Sequence, residues 1–402
     1  MQWTEFLVSE SCDFMYVADN DKNSRIRNIL PWIFILAITF VGLYLRYIPR
    51  DFVSDDMQRF LLPWFRDIKD GGGFSALSQQ VGDYGLLYQT IIAAFSYSDI
   101  NPIYLYKALS IIFDVLLAGS VAYFITKTST SDFCYNKIGY RTPIVYGCIL
   151  LLPTVIMNSA FWGQCDSIYT FFLLWSLWFL HHEKYNLSLL FLGCSFAFKL
   201  QCILLMPLFL FFCFYKRFSI FRFLITVFTF WFSGIIAYVH GRGLLDGIGV
   251  YFFQVGEYRR MWMNVPSFWF FLDDNYEKYH IFAIGMTCVI LAIILFWLFK
   301  NDIAISSFNQ IMAFALLIEW TCIIFLPSMH ERYTYVMDIF ALILAFSDIR
   351  FVKYALIATG TSCITYNTYL FAGNNITPFF VLLYILTWLH FTFFFFSKKK
   401  FQ

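Results

Sequence analysis

The chain has 402 residues, 60% of them apolar, 22% aromatic and only 13% charged, with 28 Lys and Arg against 26 Asp and Glu. A soluble domain carries about 25% charged residues, so this chain lacks the polar groups to cover a water-facing surface, and both a soluble enzyme and a disordered chain are excluded. A net charge of +2 also argues against a nucleic-acid partner, which leaves an all-α polytopic membrane protein.

Residues 1–28 are polar and charged and contain no cleavable signal peptide, so the first apolar run reads as a retained span. A spanning helix takes about 20 mostly apolar residues. Twelve segments meet or approach that length: 29–48, 104–126, 142–162, 167–180, 187–201, 202–215, 218–240, 280–299, 305–327, 334–349, 354–371 and 377–397. Only Lys199 and Gln201 separate the fifth from the sixth, and reading these two as one helix would invert everything after them.

The positive-inside rule favours twelve spans with both termini cytoplasmic. That arrangement puts Lys22, Arg25 and Arg27 inside, then Lys127, Lys137 and Arg141, then Lys184, then Lys216, Arg217 and Arg222. Lys300, Arg350, Lys353 and the tail Lys398, Lys399 and Lys400 follow on the same side; eleven spans would put the tail outside. The chain is then one integral membrane domain, 1–402, read as a monomer in contact with membrane lipid. It has two long outer loops, 49–103 and 241–279, and C-terminal helices, 350–402, without a motif. In the first outer loop Met57, Phe60, Leu61, Trp64 and Ile68 recur at helical spacing. That predicts an amphipathic helix on the bilayer surface, ended by Gly71-Gly72-Gly73. The ten Cys include no CxxC pair and read as small buried hydrophobes.

On this orientation the distinctive polar clusters all reach the outer face. They are Ser54-Asp55-Asp56, Gly82-Asp83-Tyr84, Trp162-Gly163-Gln164-Cys165-Asp166, Lys199 with Gln201, Asn264-Val265-Pro266, and Ser328 to Tyr333. A transporter or channel places ionisable groups along a path near the midplane, whereas convergence on one leaflet suits an enzyme acting on a lipid-anchored substrate. Asp55 and Asp56 read either as a helix cap or as a source of one general base, with a carboxyl pKa raised by the interface. Asp166 is a solvated helix end or a carboxylate orienting a sugar or acceptor. Lys199 snorkels to the surface or holds phosphate. Arg332 suits phosphate through its bidentate fork, His330 can donate to phosphate or stay neutral, and Glu331 is placed to position Arg332. Within the spans, Lys107 and Asp114 are expected to be buried, paired and structural, while Glu319 and Asp338 fit either the cavity or the bundle. His330 and Glu331 are adjacent and lack metal-ligand spacing, so no metal is expected.

The order of these motifs resembles the GT-C superfamily of membrane glycosyltransferases. The likeness is to bacterial relatives of the GPI mannosyltransferases and of the dolichyl-phosphate-glucose-dependent glucosyltransferases. It is carried by Ser54-Asp55-Asp56-Met57 with Leu62-Pro63-Trp64, Gly82-Asp83-Tyr84, Trp162-Gly163-Gln164-Cys165-Asp166-Ser167, Phe198-Lys199-Leu200-Gln201, Asn264-Val265-Pro266 and Pro327-Ser328-Met329-His330-Glu331-Arg332-Tyr333. It spans residues 30–345.

The resemblance implies a GT-C fold and inverting transfer of a hexose from a polyprenyl-phosphate sugar to an acceptor hydroxyl on a lipid-linked or surface glycan. The reaction would occur outside the cytoplasm, at a bacterial inner membrane, without a cofactor. It implies Asp56 as the base, with Asp55 as the alternative because it stands where the family often has Gly. Lys199, His330 and Arg332 match donor-phosphate ligands. Trp162, Gln164, Asp166, Asp83, Gln201, Asn264, Glu331 and Tyr333 are candidate sugar or acceptor contacts. Asn264-Val265-Pro266 departs from the family's more usual Asn-Ala-Pro. Two other classes remain open: a polymerase or ligase using a polyprenyl-diphosphate glycan, and a lipid-linked sugar flippase.

Overall fold

All twelve apolar segments carry helix in the computed structural model, which describes residues 21–128, 139–301, 303, 305–373 and 376–397. Residues 1–20, Lys137 and the tail Lys398–Lys400 lie outside the described residues, as do the side chains of Lys22, Arg25 and Arg27. In chain order the helices are α1 (Asp21–Tyr47), α2 (Leu62–Asp70), α3 (Leu86–Phe95), α4 (Pro102–Thr128), α5 (Arg141–Leu150), α6 (Pro153–Ile156), α7 (Asp166–His181), α8 (Tyr185–Phe198) and α9 (Met206–Tyr215). Then follow α10 (Phe223–Phe232), α11 (Ile235–Val239), α12 (Asp246–Glu257), α13 (Tyr276–Lys300), α14 (Phe308–Phe325), α15 (Tyr335–Ser347), α16 (Val352–Phe371) and α17 (Pro378–Phe396). Among the described residues the only extended pairing is a single bridge between Met263 and His330. Among the described residues five helices are long and apolar enough to cross a membrane: Ile29–Tyr47 within α1, α4, α13, α14 and α17. A sixth span results if Arg141–Leu150 and Pro153–Trp162 are counted together.

The third predicted segment is not one straight rod. It bends by 49° between α5 and α6. Pro153 opens α6 and has no N–H to continue the ladder, and Leu152 before it is driven to ψ 127°. Residues Met157–Trp162 then form a wider turn, and Gly163 closes it in the left-handed region at φ 71°. The left-handed φ is what favours glycine at 163; a Cβ there would also lie 2.4 Å from Cε of Met57, the movable end of a flexible side chain.

The bundle is built around α14, of which 89% is buried. Ser307 and Gln310 cap its start reciprocally, side chain to backbone in both directions. By contrast only 17% of the apolar stretch within Ile29–Tyr47 and 22% of that within α13 is buried. Their outer faces carry Phe40, Ile281 and Phe282 exposed, the pattern of a helix whose solvent is lipid. Two buried cations fix the first outer loop. Arg46 pairs with Asp114 at 2.9 Å with both side chains excluded from solvent. Lys107 donates to the carbonyls of Pro49, Arg50 and Phe52 at 2.7–3.0 Å. Lys107 and Asp114 are therefore buried and paired as expected, though not with each other.

The first-loop helix exists and stops at Gly71, and its predicted stripe is buried in part: Phe60 stays 38% exposed and Trp64 is half-buried. Met57, Leu61, Phe65 and Ile68 are buried in the protein, with Phe65 against the ring of Tyr106 and Leu61 accepting from the Tyr106 hydroxyl. The buried side of the helix packs against α3 and α4, so the helix is part of the fold and carries Asp56 at its start.

Candidate functional site

Four chain segments meet at Asp56, the fourth being α16, which supplies Tyr369. The first is its own turn. Ser54 Oγ accepts from the Met57 amide at 3.2 Å and donates to the Trp162 carbonyl at 3.1 Å. Ser54, not either aspartate, thus caps the turn and ties it to the second segment, Trp162-Gly163-Gln164. That segment is held from behind by Ser110, whose hydroxyl donates to the Gln164 carbonyl at 2.6 Å. The third is the short connection between α14 and α15. Ser328 anchors it to the second long outer loop through the carbonyls of Tyr258 and Arg260.

Asp56 collects four donors. Its Oδ2 accepts from Trp162 Nε1 at 2.8 Å, from Gln164 Nε2 at 3.0 Å and from the Arg332 guanidinium at 3.5 Å. Its Oδ1 accepts from the Tyr369 hydroxyl. Burial alone would raise its pKa. The Arg332 charge and the Tyr369 and Trp162 hydrogen bonds outweigh that and hold Asp56 below the usual carboxylate range. The expected upward shift is therefore reversed, because donors on the tertiary fold surround a carboxylate that a bare interface would have left desolvated. Asp55 faces the surface, exposed and paired with Arg59 at 3.2 Å.

Asp56 forms part of the wall of a cavity of about 290 Å³. The polar part of that wall contains Asp83, Tyr84, Gln164, Lys199, Gln201, Arg332 and Tyr333, all from predicted clusters. The apolar part comes from α2 (Trp64) and its preceding turn (Phe60, Leu61), from Ile203 and Leu204 beyond Lys199, and from Ile284 on α13. Tyr84 donates to Gln164 Oε1 at 2.6 Å, so Gln164 is fixed from one side and presented to Asp56 on the other. Gly82 is needed for this loop: its φ is +67°, and a Cβ would sit 2.3 Å from the Trp64 ring.

Other predicted residues stand behind the wall. Asp166 and Lys199 form a buried ion pair, and Asn158 donates to the other carboxyl oxygen of Asp166 at 2.6 Å. The Lys199 ammonium thus reaches the cavity already engaged, 5.6 Å over the Tyr169 ring. His330 does not form part of the wall; it sits edge-on to Tyr258 at 4.4 Å, with Nε2 buried and lacking a hydrogen-bond partner. Burial, reinforced by Arg332, lowers its pKa to about 3, so it is neutral near pH 7 and offers no charge to a phosphate. Glu331 is raised to about 7 by burial and bonds the Asn264 side chain. It does not pair with Arg332, whose ion-pair partner is Asp56. No cluster of three or more metal-ligating side chains occurs among the described residues.

Two participants were missed from the sequence. Tyr369 and Asn158 lie inside apolar helical runs, where a tyrosine reads as an interfacial belt residue and an asparagine as a bundle contact. Tyr366 and Tyr369, three apart near the outer end of α16, were the available signal. No protein-family model matches this chain, and no curated protein matches it by sequence.

Proposed function

We propose that the chain is an inverting glycosyltransferase of GT-C type, moving a hexose from a polyprenyl-phosphate donor to an acceptor hydroxyl on a lipid-linked or surface glycan. The observation that carries this reading is the Asp56 carboxylate, paired with Arg332 at the wall of a cavity that also carries Lys199, Asp83 and Glu257 and is apolar beyond them. A lipid-phosphate sugar has the matching polarity: a phosphate for Arg332, a sugar for Gln164 and Tyr333, and an isoprenoid chain for the apolar part.

In the reaction the acceptor oxygen bonds the anomeric carbon from the face opposite the phosphate, and its proton passes to Asp56. The bond from the anomeric carbon to the phosphate oxygen breaks with its electron pair, and configuration inverts. The departing phosphate gains charge, which the Arg332 guanidinium stabilises. In the empty site Arg332 depresses the basicity of Asp56. A donor phosphate that takes over the guanidinium removes this depression, so the base strengthens once the donor is bound. With twelve spans and both termini cytoplasmic, supported by the Lys and Arg distribution, this site opens to the outside of a bacterial inner membrane.

The test uses the purified full chain in proteoliposomes containing a lipid extract of host membranes. Undecaprenyl-phosphate-[14C]glucose and undecaprenyl-phosphate-[14C]mannose are supplied in turn. Label appearing in a new glycosidic product from one of them is the expected result. Product formed only from a polyprenyl-diphosphate glycan, or lipid translocated without a new bond, would overturn the reading.

A further inference from the structure

The two oxygens of Asp56 are unequally occupied. A carboxylate has about two acceptor sites on each oxygen. Oδ2 receives three donors, from Trp162, Gln164 and Arg332, and has no room for a fourth. Oδ1 receives one, from Tyr369, and keeps a free site. The occupants also differ in location: on Oδ2, Gln164 and Arg332 belong to the cavity wall and Trp162 does not, while on Oδ1 Tyr369 lies off it. Asp56 therefore stands between the cavity and the outer end of α16. Tyr369 is itself held, its ring stacked on Trp162 at 4.6 Å and 16°, so the hydroxyl that grips Oδ1 and the indole that grips Oδ2 form one rigid pair.

Inversion requires attack from the side opposite the leaving group. If Arg332 marks the leaving phosphate, the far oxygen of the carboxylate is Oδ1. We propose that the acceptor hydroxyl is received at Oδ1 of Asp56, on the side bordered by the outer end of α16, and that Tyr369 is the positioning residue that holds this oxygen. This rests on the glycosyl-transfer reading. The acceptor proton goes to Oδ1 as its oxygen bonds the anomeric carbon. Tyr369 keeps its own proton, and the phosphate leaves with the electron pair on the cavity side. The motif-free C-terminal segment thereby supplies a residue to the reacting carboxylate.

The test compares Tyr369→Phe, which keeps the ring on Trp162, with Arg332→Ala in the full chain in nanodiscs. The Asp56 carboxyl is titrated by carbon-13 NMR of labelled aspartate and assigned by its loss in Asp56→Asn. Undecaprenyl phosphate is the binding probe. Removing a hydrogen bond to a charged group should raise the Asp56 pKa in Tyr369→Phe by about one unit, a change that a purely structural role would not produce. Undecaprenyl phosphate should bind Tyr369→Phe within about twofold of the native protein, which also reports that it is folded, and should bind Arg332→Ala at least about tenfold more weakly. An unmoved Asp56 titration would overturn the proposal, as would a loss of undecaprenyl-phosphate binding in Tyr369→Phe equal to that in Arg332→Ala. If the native protein binds no undecaprenyl phosphate, the functional reading fails instead, while the titration still tests whether Tyr369 holds Asp56.

Discussion

Replacing Asp56 by asparagine removes the proposed base and little else. The substitution is isosteric: the amide oxygen can occupy the Oδ2 position and keep the Trp162 and Gln164 donors, and the amide nitrogen then donates to the Tyr369 hydroxyl, which accepts in turn. What is lost is the ion pair with Arg332, at 3.5 Å with 17% and 13% of the two side chains exposed. At that separation and an effective dielectric near 20, the attraction is about 5 kcal/mol. Desolvation of both charges offsets most of it, so a net stability loss of about 1–2 kcal/mol is expected. Catalysis should suffer far more. A positioned general base contributes roughly 10²–10⁴ in rate, equivalent to about 3–5 kcal/mol of barrier. Initial rates of undecaprenyl-phosphate-sugar consumption in proteoliposomes, read beside thermal unfolding in detergent, separate the two effects. Asp55→Asn is the control: its carboxylate is exposed and paired only with Arg59, a surface contact of little energetic weight, and its rate should stay within about twofold of the native one. Turnover above about a tenth of native in Asp56→Asn, or an equal loss in Asp55→Asn, would refute the reasoning.

Three further substitutions probe the scaffold. Arg46→Met should cost about 3–5 kcal/mol in thermal unfolding by stranding the buried Asp114 carboxylate, and adding Asp114→Leu should recover most of it; a double variant no better than the single one would contradict the pairing. Gly163→Ala should destabilise by about 1–3 kcal/mol through its left-handed φ and the clash with Met57, and Met57→Ala should relieve only the steric part. Glu331→Gln tests the buried carboxyl, whose pKa is raised from 4.5 to about 7. A raised acid favours the folded state fully below the unfolded pKa and loses that contribution as pH rises. The variant should therefore gain stability relative to the native protein between about pH 4.5 and 7 and keep the gain above, whereas a constant difference across that window would show that the carboxyl does not titrate there.

Much of the site was legible because its residues are chemically conspicuous. In a chain this apolar, Asp56, Gln164, Lys199 and Arg332 stand out wherever they fall, and all four reach one cavity. Their pairing was not legible. Lys199, read as a free phosphate ligand, is bound to Asp166. His330 is neutral, off the cavity wall and edge-on to Tyr258. The apolar stripe of the first-loop helix looks the same in sequence whether lipid or protein covers it, and here protein buries Met57, Leu61 and Ile68 while Phe60 stays exposed. The bend before Pro153 was readable in principle, whereas the burial of Asn158 and the reach of Tyr369 were not.

Helical architecture and membrane character followed from composition and hydropathy, since both depend on the average solvent preference of about 20 residues at a time. The distribution of Lys and Arg among the short connections gave an expected orientation in the same way, as a sum over many weak signals. The state of Asp56 could not be read that way. It depends on four donors, from residues 106, 108, 276 and 313 positions away in the chain, and the balance between desolvation and those donors reverses the direction of its shift. Hydrogen bonds and charge pairs act over a few ångströms, so the distances that decide them exist only once the helices have packed.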